Sequence, residues 1–89
     1  MTLDDVCARV RAIISGYLRR FRQPAEVAVD SRLAGGDLNL DSLAYLEITM
    51  EVEDEFDVEL DDNRLAQLVT VGDFVWYVAT CLGLEEVAA

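Results

Sequence analysis

A small all-α fold is predicted, a four-helix bundle of three longer helices and one short helix with a long loop between the first and second. Three observations predict it. Apolar residues recur at spacings of three and four in separate stretches, no alternating strand pattern of useful length occurs, and cap-forming side chains stand where those stretches begin. With 89 residues there is room for one domain spanning 1–89 and a single core.

The first helix opens at Thr2, a capping residue with Asp5 three positions on. Leu3, Val6, Val10, Ile13, Ile14, Tyr17, Leu18 and Phe21 then follow helical spacing. Arg19, Arg20 and Arg22 crowd its last turn, where cations complement the carbonyl end of the helix dipole, and Pro24 prevents continuation. From Gln23 to Leu40 the periodicity lapses. Gly35, Gly36, Asp37 and Asn39 supply turn chemistry there, while Val27, Val29, Leu33, Leu38 and Leu40 are expected to pin the loop to the core. Asp41 opens a second helix running to about Phe56. A short helix is expected over Asp62–Leu68, and Thr70 caps the last one, which carries Asp73 in its first turn and stops at Gly83. In that helix Val71, Phe74, Val75, Val78 and Leu82 form the core stripe, leaving Trp76 partly exposed.

Hydrophobic residues make up 53% of the chain and charged residues 28%, a balance that folds. Eighteen acidic residues against seven arginines give a net charge of -11, which repels nucleic acid and anionic lipid and favours basic protein surfaces. Cys7 and Cys81 stand in no disulfide or metal-ligand pattern and are expected to be reduced core thiols. No apolar run approaches the roughly 20 residues that span a bilayer, and the N-terminus lacks a basic segment followed by an apolar one. A cytoplasmic protein is expected.

The second helix holds more apolar surface than a core requires. At about 100° per residue it carries two stripes. Tyr45, Ile48, Val52 and Phe56 hold the bulkiest side chains and are assigned to the interior; Leu43, Leu46 and Met50 share a face with Ser42, flanked by Glu47, Glu53 and Asp54. This second stripe either packs under the long loop or docks a partner. Asp41 can fill the cap position, which leaves the Ser42 hydroxyl open to modification beside an apolar and acidic patch.

The segments Leu40-Asp41-Ser42-Leu43, Leu46-Glu47-Ile48 and Glu53-Asp54-Glu55-Phe56-Asp57 resemble the acyl carrier protein family. The resemblance extends upstream to Asp30-Ser31-Arg32-Leu33 and downstream through Val58-Glu59-Leu60, Leu65, Leu68, Thr70-Val71 and Tyr77. It implies that Ser42, within Asp41-Ser42-Leu43, receives a 4'-phosphopantetheine arm from coenzyme A through a separate phosphopantetheinyl transferase. The arm's thiol would hold acyl groups as thioesters for acyl-loading and acyl-processing enzymes with basic docking surfaces. Leu43, Leu46, Glu47, Met50, Glu53 and Asp54 would form the recognition face. The chain departs from the family pattern at Asn39, where glycine is common, and at Asp61, where proline often precedes the third helix.

Catalysis by a serine nucleophile needs a base, normally a histidine, and the chain has none. Asp57, Glu59 and Asp61 alternate as in a calcium loop, but Asp62 stands where the turn needs glycine and Leu68 where the closing glutamate belongs. The resemblance implies a monomeric, non-catalytic carrier, in polyketide, fatty-acid or related specialised metabolism. A peptidyl or aryl carrier, or a non-covalent acidic interaction module, are the alternatives.

Overall fold

The computed structural model describes residues 1–36 and 38–84, so Asp37, expected in the turn, lies outside the described residues. Among the described residues four helices follow one another: α1 (Leu3–Phe21), α2 (Ser42–Phe56), α3 (Asp62–Leu65) and α4 (Val71–Cys81). Thr2 and Asp5 close a reciprocal capping box on α1, and Thr70 and Asp73 do the same on α4. These pairs satisfy amide donors that would otherwise lack partners at the helix starts. α2 ends at Asp57, which adopts a left-handed conformation with φ 55°.

α1 packs against both α2 and α4. Val6, Val10 and Ile14 meet Ile48, Val52, Phe74 and Val78 in one core, with Tyr17 and Leu18 closing one end. The long loop is held to this core by Val27, Leu33, Leu38 and Leu40, all buried. Backbone bonds also tie it to the segment before α4. The Leu33 amide donates to Val69 O at 2.9 Å, and the amides of Val71 and Gly72 donate to Ser31 O and Val29 O at 2.9 and 2.7 Å. Asn39 takes φ 48°, a left-handed conformation that glycine adopts freely and asparagine tolerates, which explains this departure from the family pattern.

Several expectations need correction. α3 stops at Leu65 instead of Leu68, because Gln67 and Leu68 turn the chain towards the bonded segment beside the long loop. Cys81 is exposed and Cys7 only half-buried, since Cys81 is the last residue of α4 and overhangs the core. Val29 is exposed, and so is Phe21. Tyr45 is half-buried, not interior; its ring meets Phe74 edge-on at 6.0 Å and its hydroxyl needs a polar partner at the rim. Ala44 and Thr49 share the buried stripe of α2 with Ile48, Val52 and Phe56. Trp76 is 42% exposed, in line with the reading of the α4 stripe.

Three ion pairs lace α1 to α2 and its cap. Arg9 meets Glu55 at 2.7 Å, Arg20 meets Glu51 at 3.2 Å and Arg22 meets Asp41 at 2.8 Å. Such exposed pairs contribute about 0–1 kcal/mol each. Most of the eighteen carboxylates cannot be matched by seven arginines, so net repulsion outweighs these pairs. Raising ionic strength from about 0.01 to 0.1 M, which shortens the Debye length from about 30 to 10 Å, should raise the melting temperature. A flat or falling Tm across that range would contradict repulsion as a leading destabilising force.

Candidate functional site

The site begins where the long loop enters α2. Asp41 has extended backbone and caps the helix, its Oδ1 accepting the Ala44 amide at 2.8 Å. Its Oδ2 meets the Arg22 guanidinium at 2.8 Å. The capping bond and, beside it, Arg22 hold the Asp41 carboxyl below its usual pKa. Because Asp41 performs the capping, Ser42, the first residue of the helix, presents an exposed hydroxyl. The other two serines differ. Ser31 is buried, with its hydroxyl accepting the Ala28 amide at 3.0 Å, and Ser15 is half-buried in α1.

Two shallow apolar grooves flank Ser42. One, of about 370 Å³, runs towards α3 between Tyr45, Leu46, Thr49, Leu65 and Ala66. The other, of about 220 Å³, lies towards the long loop and is walled by Leu33, Leu40 and Leu68. Tyr45 stands at both, and its hydroxyl donates to Leu65 O at 2.8 Å, tying α2 to α3. Thr49 in turn donates to Tyr45 O at 2.7 Å. Burial pushes the Tyr45 phenol up to about 12.

The neutral Tyr45 phenol is favoured by the fold, so its contribution is complete below the unfolded value near 10 and disappears as pH rises towards about 12. Tyrosinate absorbance should therefore keep rising well above pH 10, and Tyr45→Phe should remove the component that ionises towards about 12, leaving the late ionisation of Tyr17 in place. Full ionisation of all three tyrosines near pH 10 would contradict this placement.

Along α2 the exposed stripe contains Leu43, Leu46 and Met50, which are 63%, 53% and 55% exposed. These three large apolar side chains on one helix are therefore mostly open to solvent, and they do not pack under the loop. Glu47 and Asp54 stand exposed beside them. Glu53 sits differently: it is half-buried, and its Oε2 accepts the Leu60 amide at 2.9 Å, stapling the turn that leads to α3. Glu47 is also engaged, its Oε1 accepting the Tyr17 hydroxyl at 2.7 Å, and this bond raises the Tyr17 pKa.

A family model described as the phosphopantetheine attachment site matches residues 8–78. The chain belongs to the acyl carrier protein family. It is 46% identical over 82 residues to an acyl carrier protein of Exiguobacterium sp., covering 92% of this chain and all of the relative. With an acyl carrier protein of Exiguobacterium sibiricum it shares 32% over 80 residues, covering 90% and 98% of the two chains. A solved structure from Mycobacterium tuberculosis, assigned as an acyl carrier protein, superposes with a TM-score of 0.73 at 31% identity, covering 84% of this chain and 96% of that one. The function is that of a carrier, with phosphopantetheine as its prosthetic group.

The residues around Ser42 fit such a group. A phosphodiester is an anion, and the start of a helix, where backbone amides point outward, favours one. Asp41 would oppose it, but its carboxylate is committed to the Ala44 amide and to Arg22. Arg22 is a participant that sequence reasoning missed. The arginine cluster reads locally as a dipole complement to α1, and only the packing of α1 beside the α2 cap brings Arg22 to Asp41. Asp61, where the family often has proline, caps α3 by accepting the Asn63 amide at 2.9 Å. That departure is structurally absorbed.

Proposed function

We propose that this carrier holds its arm on the Ser42 hydroxyl and delivers acyl thioesters as a monomeric, cytoplasmic, non-catalytic protein, in polyketide, fatty-acid or related specialised metabolism. The observation that carries the attachment assignment is that Ser42 is the exposed serine, freed from capping by Asp41. When attached, the arm supplies a terminal thiol that holds the acyl group as a thioester. Asp41 and Leu43 flank the attachment point. Tyr45 and Thr49 line the apolar groove next to Ser42, against which the arm and its cargo can lie.

Leu43, Leu46 and Met50 supply the contact area of the recognition face. Glu47 and Asp54 give it the negative rim that steers basic partner surfaces, among them the transferase and the acyl-loading enzymes. Glu53 belongs to the same helix but acts on this face through its negative charge alone, because its carboxylate is held by Leu60. The test is the intact mass after incubation with coenzyme A and a broad-specificity phosphopantetheinyl transferase. The protein should gain the mass of one arm. No gain, or a gain of two, would overturn the reading.

A further inference from the structure

The exposed face of α2 continues onto the end of α1. There a groove of about 420 Å³ opens between the two helices, with Tyr17, Phe21 and Met50 on its walls and Glu47, Glu51 and Asp54 along its edge. Phe21 is 60% exposed, although helical spacing puts it on the core side of α1. Its ring lies 4.9 Å from that of Tyr17, tilted by 43°. Tyr17 is in turn fixed by its hydrogen bond to Glu47, so the aromatic wall is held in place before any partner arrives.

The groove's own chemistry indicates what it receives. Arg20 already places its guanidinium 5.4 Å from the centre of the Phe21 ring and bonds both carboxylate oxygens of Glu51 at 3.2 Å. This is how an arginine uses these walls. Glu47 and Asp54 remain without a cation among the described residues, so three carboxylates face one guanidinium. A purely apolar occupant would bury those carboxylates unpaired. A lysine could neutralise them but would gain little from the flat Phe21 ring, whereas a guanidinium stacks on the ring and forks onto a carboxylate at once.

We propose that this groove anchors one arginine side chain of a protein docking on α2, the transferase included. The proposal rests on the reading of α2 as the docking face, with which the groove shares Met50 and Glu47.

Two measurements test it. Amide shifts of the 15N-labelled protein should respond to N-acetyl-arginine amide at Tyr17, Phe21 and Asp54, about two- to fivefold more strongly than to N-acetyl-lysine amide at equal ionic strength. Phe21→Leu, which keeps apolar bulk and removes the ring, should abolish that preference. Equal responses to the two amides, or responses elsewhere on the surface, would overturn the proposal whether or not Ser42 is the attachment site. In the loading reaction, Phe21→Leu should raise the transferase KM about two- to fivefold with kcat unchanged. An unchanged KM with normal loading of Ser42 would overturn the groove's part in docking and leave the carrier reading standing.

Discussion

Ser42→Ala should keep the melting temperature and helical content of the natural protein and acquire no arm under conditions that load the natural protein completely. The fold has little reason to notice the change. Ser42 is exposed, Asp41 provides the cap, and alanine is a better helix former than serine. The chemistry, in contrast, loses its only acceptor at that position, and no neighbouring hydroxyl can replace it. Thr49 is buried, with its hydroxyl bonded to Tyr45 O, and Ser31 is occupied by the Ala28 amide. A variant that still gained the arm would place the attachment elsewhere.

The second large effect separates the two faces of α2 and the core they enclose. Phe74 is fully buried and Phe56 nearly so, and truncating either to alanine should cost about 3–5 kcal/mol. A domain of this size is stable by roughly 4–13 kcal/mol, so Phe74→Ala should remove from about a quarter to all of that stability and lower the melting temperature steeply. Met50→Ala removes a side chain that is 55% exposed and should change stability by no more than about 0.5 kcal/mol. Its defect should appear as faster dissociation from the transferase. Asp54→Lys should act differently again, slowing association and flattening its salt dependence, because exposed rim charges act mainly on encounter. Asp54 is a cleaner charge probe than Glu47, whose reversal would also break the bond to Tyr17. Should Met50→Ala unfold the protein while Phe74→Ala leaves it intact, the assignment of the faces would be reversed.

What could be read from the sequence divides along physical lines. Caps are local, so Thr2 with Asp5, Thr70 with Asp73, and Asp41 ahead of Ser42 were all legible. So were the two stripes of α2, because helical periodicity decides which side chains share a face. What one face meets was not. Phe21 follows the apolar spacing of α1 yet lies beyond the end of the core, and periodicity carries no signal for where a neighbouring helix stops. Glu53 looks like one more surface carboxylate until the turn after α2 brings the Leu60 amide to it. Arg22 reads as a helix-end cation until α1 and the α2 cap are placed side by side. Tyr45 belonged to the buried stripe by spacing, but its hydroxyl draws it to the rim and to Leu65 O. Each of these depends on an approach between separate elements, which pattern alone does not encode.

The central claim is that the arm sits on Ser42, and tryptic mapping of the loaded natural protein tests it most directly. Every basic residue is an arginine, and cleavage after Arg32 and Arg64 releases residues 33–64, in which Ser42 is the only serine. Ser15 and Ser31 fall in other fragments. The account predicts phosphopantetheine on 33–64 alone, with fragmentation placing it on Ser42; an arm on the fragment bearing Ser15 or Ser31, or on Thr49, would contradict it.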